Sequence, residues 1–392
     1  MPLTYCLNVH PGETWSDNLA TLRTTVLAVR DLVAPGKPFG LGLRLSAAAA
    51  EELQSPARLA QLTDFLHSES LYVFTINGFP YGRFHGAPVK ENVYAPDWRT
   101  PERRDYTNRL ATILSALIPE NGTGTISTLP CSWEPWITTS ADLHPILDHL
   151  TDSVAHCAAI AASQRRDILI ALEPEPGCLI ETTAETIHFF NAQLFTEGAR
   201  LLASKLGRTE SAARALIRHH LGVCLDTCHV ALQFEDPAES LRLYASEAIR
   251  VPKIQISSAL RTDASSAALQ ALQSFVEPVY LHQVKAQTPS GEILGWPDLP
   301  PALSALPATA AREVRVHFHA PLHFTGAAPL HSTASLLTPA FLTSIASDAR
   351  LHLEIETYTW QVLPPALRST SIEQSIAAEF LWLENKSAQI RG

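Results

Sequence analysis

The sequence predicts an α/β fold of the (β/α)8 barrel type, and three observations predict it. Eight short β-branched or apolar runs alternate with helical stretches from one end of the chain to the other. Polar and acidic residues recur at the C-terminal end of run after run, where a barrel of this kind gathers its functional side chains. The length of 392 residues accommodates one such barrel with insertions, since these domains reach roughly 250 residues or more.

In chain order, the strand-like runs are residues 3–10, 39–46, 71–77, 124–129, 167–172, 221–226, 251–257 and 351–356. Helices are expected over 15–32, 142–163, 211–219 and 334–347, each with apolar residues three and four apart. Two further alternating runs, 278–285 and 313–319, flank the Thr288-Pro289-Ser290-Gly291 turn and a proline-rich stretch. They are expected to form an inserted strand pair or excursion before the last helix and strand. Residues 1–392 are thus expected to be one barrel domain, with insertions at about 181–220 and 262–330. The first of these carries at least two helices. No linker or fixed-period repeat interrupts the pattern.

A hydrophobic fraction of 46% with 17% charged residues describes a chain that buries a substantial core. The formal charge is −10 and no Lys/Arg run exceeds a pair, so the electrostatic footprint of a nucleic-acid binder is missing. No segment has the roughly 18 apolar residues of a membrane span, and the first residues lack a basic stretch followed by an apolar one. A cytoplasmic protein is expected. Its six cysteines are scattered, as small buried hydrophobes are in a reducing compartment. Cys224, Cys228 and His229 offer an alternative zinc reading, which lacks a second ligand pair.

The strand ends present Asn8 and His10, Asn77, Cys131 and Trp133, Glu173 and Glu175, Asp226 and His229, Gln255 and Ser257, and Glu354 and Glu356. Buried carboxylates are costly unless paired or bound to metal, so several converging on one barrel mouth call for a cation. Glu173 ends an apolar strand abruptly, although pairing with a nearby Arg or Lys would also account for it. Glu175, beyond Pro174, is expected to be solvated in the loop. Asp226 and His229 are three apart and can address one pocket; alternatively, Asp226 caps the following helix while His229 packs on it. Along 351–356 the period-two pattern puts His352, Glu354 and Glu356 on one face, with Glu356 nearest the mouth. Glu354, one layer deeper, is expected to pair with Arg44 or His352.

His282, His317 and His319 form the remaining histidine concentration, and the last two share a strand face, a spacing that can bring two imidazoles to one metal or substrate. The loop from Asn77 to Gly86 carries Phe79, Tyr81 and Phe84 beside polar residues, which suits a ring-shaped polar ligand such as a sugar, or equally a packed surface loop. Neither a phosphate loop nor a dinucleotide fingerprint is present.

Glu173, the Asp226-Thr227-Cys228-His229 motif and Ile355-Glu356-Thr357 resemble, in order and spacing, the motifs of the xylose-isomerase-like TIM-barrel superfamily of sugar isomerases, keto-sugar epimerases and apurinic endonucleases. At closer range, Asn8-Val9-His10-Pro11-Gly12-Glu13-Thr14-Trp15, Phe74-Thr75-Ile76-Asn77-Gly78-Phe79-Pro80-Tyr81-Gly82 and Leu353-Glu354-Ile355-Glu356-Thr357-Tyr358-Thr359-Trp360 resemble the EboE-type metabolite traffic proteins along nearly the whole chain. The resemblance implies a divalent metal (Mn, Mg or Zn) held by Glu173, Asp226 and Glu356. Glu173 and Glu356 would double as the acid/base pair, and His229 would contact substrate. His10, Asn77, Trp133 and Gln255 are the other candidate substrate-binding residues. The superfamily's next ligand is a histidine on the seventh strand, where this chain has Gln255. An amide oxygen ligates Mg²⁺ or Mn²⁺ but is a poorer zinc ligand than imidazole, so the cation is held more weakly or His282, His317 or His319 supplies the ring.

The expected function is that of a metal-dependent isomerase or epimerase acting on a sugar-like or polyhydroxylated small metabolite, with partner proteins of a metabolite pathway implied by the EboE-type resemblance. A non-catalytic metabolite-binding or traffic protein on the same barrel is the alternative. Metal-dependent hydrolysis comes third.

Overall fold

In the computed structural model, which describes residues 2–326, 328–368 and 370–391, eight parallel strands form a barrel. They are β1 (Leu3–Tyr5), β2 (Phe39–Arg44), β3 (Leu71–Asn77), β4 (Thr123–Thr128), β5 (Asp167–Leu172), β6 (Leu221–Asp226), β7 (Lys253–Ile256) and, after an excursion, β13 (His352–Ile355). Their order is β1-β13-β7-β6-β5-β4-β3-β2. These are the eight runs expected from the sequence. Buried on both faces, such strands read as continuous apolar stretches.

Where the ends differ, the chain gives the reason. The first strand stops at Tyr5 because residues Leu7–Val9 turn into a 3-10 helix, which directs Asn8 and His10 differently. The seventh begins at Lys253, after Pro252, whose ring nitrogen has no hydrogen to give a ladder. The expected helix over 334–347 is split, with its α-helical part Pro339–Ala346 starting behind a Thr338 cap that accepts from Phe341 N.

The seam between β1 and β2 is closed by a parallel bridge from Cys6 to Gly42 and by the Gly42 N–H donating to Thr4 Oγ1 at 3.1 Å. A Cβ on Gly42 would lie 2.0 Å from Glu354 Oε1, so only glycine allows that carboxylate to pass. Glu354 pairs with Lys253 at 2.7 Å, both side chains fully buried, and Lys253 also donates to Ser127 Oγ at 3.1 Å. This corrects the expected partners. Arg44 is held by Glu13 at 3.1 Å and His352 by the Thr125 hydroxyl at 3.0 Å.

The 181–220 segment is helical nearly throughout, with Thr183–Phe189, a wide turn at Phe190–Gly198, Ala199–Leu206 and Glu210–His220. The excursion before β13 is larger than a strand pair. It is a five-stranded antiparallel sheet, ordered β10-β9-β11-β8-β12, of β8 (Ala259–Thr262), β9 (Val284–Gln287), β10 (Ile293–Trp296), β11 (Glu313–His319) and β12 (His331–Ser332). The run expected over 278–285 becomes a strand only at Val284, because the Glu277 carboxylate accepts the N–H groups of Val279 and Tyr280 and turns the chain there. Along β11, Val314, Val316 and Phe318 enter a second, smaller core with Leu260, Phe275 and Val284. The alternate residues Arg315, His317 and His319 face the barrel, where Arg315 donates to the Ala231 carbonyl. Among the described residues no helix is long and apolar enough to cross a membrane.

Candidate metal centre

Three carboxyls meet at the C-terminal mouth. Glu173 follows β5, Asp226 ends β6 and Glu356 follows β13, and one oxygen from each lies within 4.8 Å of the others. All three side chains are buried. Asp226 makes the helix cap that the sequence offered as one alternative. Its Oδ1 caps the helix Thr227–Leu232, accepting from Cys228 N at 2.7 Å, His229 N at 3.2 Å and the Ser257 hydroxyl at 2.6 Å, while Oδ2 has no hydrogen-bond partner. Glu173 Oε2 is equally unpartnered, and among the described residues no Lys or Arg forms an ion pair with Glu173. Glu356 Oε1 accepts from the Asn8 amide at 2.7 Å and the Asn77 amide at 3.0 Å.

The insert sheet adds imidazoles. His319 donates Nδ1–H to the Glu356 carbonyl at 2.9 Å, leaving Nε2 buried without a partner. It forms a potential ligand group with Asp226 and His229. The His229 Nδ1–H donates to the Pro174 carbonyl at 2.8 Å, and its Nε2 lies 3.1 Å from both His317 Nε2 and Glu175 Oε2. His317 donates Nδ1–H to Gln283 Oε1 at 2.7 Å. The Gln283 amide is itself oriented by donating to the Pro176 carbonyl at 2.9 Å, which can only accept.

Burial pushes the Glu173 carboxyl up to about 8, with Asp226 and Glu175 adding to the rise and His229 opposing it. Burial likewise lifts Glu356 far above the ordinary carboxylate range, helped by Glu173 and Asp226, and lifts Glu175, helped by Asp226. Burial works against the Asp226 charge as well, but His229, His319 and the Ser257 hydroxyl outweigh it and hold this carboxyl low. Burial lowers His319 to about 4 and His317 well below the usual imidazole range. Without a cation, the cluster therefore carries fewer charges than its residue types could supply. A divalent ion is the group that lets such carboxyls ionise together. The unpartnered atoms Glu173 Oε2, Asp226 Oδ2 and His319 Nε2 are donors of the type Mn²⁺ or Zn²⁺ accepts, so the residues fit a cation.

Above the cluster opens a cleft, lined at its floor by Asn8, Asn77, Glu173, Glu175, His229, His317 and Glu356. Other expected site residues lie outside that lining. His10 bonds the Tyr5 hydroxyl through Nε2 at 2.9 Å, turned away by the 3-10 segment. Trp133 stacks on Tyr94 with ring centroids 4.7 Å apart and supports the wall from behind. Gln255 is fully buried, its Oε1 accepting the Cys224 thiol at 3.1 Å. Both His282 nitrogens are committed, to the His317 carbonyl at 2.8 Å and to Glu277 at 2.9 Å, so this ring does not join the cluster. The Cys224, Cys228 and His229 set does not converge; Cys228 instead lies with His317 and His319.

Glu175 reverses an expectation. Far from solvated, it is buried, accepting from the Tyr94 hydroxyl at 3.3 Å and facing His229. The signal was in Pro174 and Pro176, which hold the segment extended and return Glu175 to the side of Glu173. His85 was not singled out, yet it accepts the Tyr280 hydroxyl at Nδ1 (2.7 Å) and donates from Nε2 to the Asn8 carbonyl (2.6 Å), fixing the loop beneath Asn8.

No protein-family model matches the chain, and no curated protein does. Among solved structures it is similar to a xylose isomerase domain protein from Planctomyces limnophilus, at 14% identity and TM-score 0.50 over 93% of each chain. Also similar are an L-ribulose 3-epimerase (12% identity, TM-score 0.49, 100% of this chain and 95% of that one) and the probable 3-DHS dehydratase AsbF from Bacillus anthracis (12%, 0.47, 98% and 99%). The first of these likenesses agrees with the (β/α)8 barrel described above.

Proposed function

We propose that this barrel is a metal-dependent isomerase or epimerase acting on a small oxygenated metabolite. The observation that carries the reading is the placement of Glu173 and Glu356 on separate strand ends, 183 positions apart in sequence, with Asp226 between them and a cleft above. Glu173, Asp226, Glu356 and His319 would hold the cation, with His229 and His317 adjacent. Bound there, a divalent ion supplies Lewis-acid polarisation of a substrate carbonyl and neighbouring hydroxyl.

The chain's own groups then divide the work. Glu173, ionised, takes the proton from the carbon beside the carbonyl. Glu356, held by the amides of Asn8 and Asn77 and entering the step protonated, gives that proton to the other face or to the neighbouring carbon. Between turnovers Glu173 loses its proton to solvent while Glu356 regains one. The apolar wall excludes water while the proton is in transit. His229 is oriented by Pro174 to present Nε2 to a substrate oxygen.

A second reading has a specific support. The stretches containing Asn8 to Trp15, Phe74 to Gly82 and Leu353 to Trp360 resemble EboE-type metabolite traffic proteins, and Gln255 stands where the superfamily has a ligand histidine. On that reading the cleft binds a metabolite for handover. The experiment is to load the protein with Mn²⁺, incubate it in D₂O with a panel of ketoses and α-hydroxyketones, and follow the α C–H signals by NMR. Exchange that is lost in Glu173→Gln and Glu356→Gln supports the isomerase. Ligand binding without exchange of any compound favours the carrier.

A further inference from the structure

The wall of the cleft differs in character from its floor. Phe79, Pro80, Phe84, Val93, Leu281 and Tyr358 line it, and Phe84, Tyr280 and Tyr358 form a three-sided aromatic group with centroids 5.2 to 5.3 Å apart. Within this wall the Tyr280 and Tyr94 hydroxyls and the Lys90 ammonium already have partners inside the protein, while the Tyr358 hydroxyl forms no hydrogen bond among the described residues. The Tyr280 hydroxyl bonds His85 at 2.7 Å. The Tyr94 hydroxyl accepts from the Gln283 amide at 2.8 Å while donating to Glu175 at 3.3 Å. Lys90 is the one Lys or Arg among the described lining residues. Its ammonium donates to Asp298 at 2.7 Å and to the carbonyls of Tyr280 at 2.6 Å and Glu277 at 3.3 Å, which uses its three N–H groups.

This accounting bears on what the cleft can take. A free ketose carries a hydroxyl on almost every carbon, and each one buried against this wall without a partner costs about 1–3 kcal/mol. A phosphorylated sugar needs a free cation or a set of amides above the floor, and Lys90 is committed elsewhere. Vicinal oxygens find partners at the floor, among the carboxyls, the histidines and the Asn8 amide, with the Tyr358 hydroxyl the one unpartnered hydroxyl of the described wall residues.

We infer that the substrate is amphiphilic, an aryl-bearing compound whose vicinal oxygens, an α-hydroxyketone or its equivalent, are confined to one end. The oxygenated end enters the floor and the ring lies among Phe79, Phe84 and Tyr358. Aromatic faces could also stack on the apolar face of a sugar, but its ring of hydroxyls would then meet carbon except at the Tyr358 hydroxyl. This inference rests on the proposed cation-assisted chemistry for the role of the floor, and on the wall alone for the nature of the body.

The test is calorimetry on the full chain loaded with Mn²⁺, using 2-hydroxyacetophenone, 1,3-dihydroxyacetone and D-fructose as probes. The expected result is that 2-hydroxyacetophenone binds about 10-fold or more tightly than either other probe, the scale on which apolar pockets discriminate. Phe84→Ala should weaken that probe about 5-fold or more while leaving dihydroxyacetone unchanged. D-fructose binding as tightly as the aryl probe, failure of all three to bind, or indifference of the aryl probe to Phe84→Ala would each overturn the inference. Preferential binding of 2-hydroxyacetophenone without exchange of its α C–H would leave it standing and remove the isomerase reading instead.

Discussion

His229 and His317 face each other through their Nε2 atoms at 3.1 Å, and each ring has its Nδ1–H committed to an oxygen that can only accept it. Two lone pairs therefore meet in a buried site beside Glu175. Neutral imidazoles in that geometry are satisfied by a cation or by a proton given up from Glu175. His317→Ala is expected to lower Mn²⁺ or Zn²⁺ affinity about 10-fold or more with the fold intact. His282→Ala should leave affinity unchanged, because that ring bonds Glu277 and a carbonyl. Titration calorimetry of both variants checks this, and equal losses would contradict it.

Asp226→Asn is expected to weaken cation binding more than Gln255→Ala. The first removes a charge from a buried group whose Oδ2 points to the cluster without a partner. The second removes an amide whose oxygen is occupied by the Cys224 thiol. Comparable dissociation constants in the two variants would be evidence against the assignment of ligands.

A pH effect is expected away from the metal cluster. Glu379, on the helix Ile372–Arg391, is buried, accepts from the Thr357 hydroxyl at 2.6 Å and Leu322 N at 3.0 Å, and is raised by burial to about 7. The folded protein thus keeps a proton that the unfolded chain releases near pH 4.5. The stabilising difference is full below the unfolded value and is lost as pH rises through about 7. The loss is at most about 3 kcal/mol. Glu379→Gln should remove this contribution to the slope, seen as a smaller fall in chemical-denaturation stability between pH 5 and pH 7 than in the parent.

Lys253→Met is expected to destabilise the protein by about 3–5 kcal/mol, because it leaves the Glu354 carboxylate uncompensated in the barrel interior. The double variant Lys253→Met with Glu354→Leu should recover much of that loss. Denaturant midpoints for the single and double variants decide the matter; a double variant no more stable than the single one would count against the pairing account.

The barrel was legible in the sequence because each parallel strand is buried on both faces and shows as an unbroken apolar run. Glu173, Asp226 and Glu356 stood out because each is an acid at the end of such a run. The insert sheet was only half visible. β8, β10 and β12 are two to four residues long, too short for alternation to distinguish them from loop. Glu175 was misread because its burial comes from Tyr94 and His317, partners remote in the chain. The choice among His282, His317 and His319 lies in contacts as well: all three sit on the same excursion, and strand parity links only the last two. Glu354 shows the same limit, since the length of a lysine side chain let Lys253 reach it ahead of Arg44 or His352.

The insert sheet between β7 and β13 also sets when the site can exist. A ribosome making this chain delivers Glu173, Glu175, Asp226 and His229 well before His317 and His319, and Glu356 after those. Until β11 has folded over the mouth and β13 has closed the barrel, the early carboxyls lack the rings and the third acid that complete the group. A stalled or truncated product therefore lacks the assembled group, and the proposed cation site is complete only when the last strand is in place.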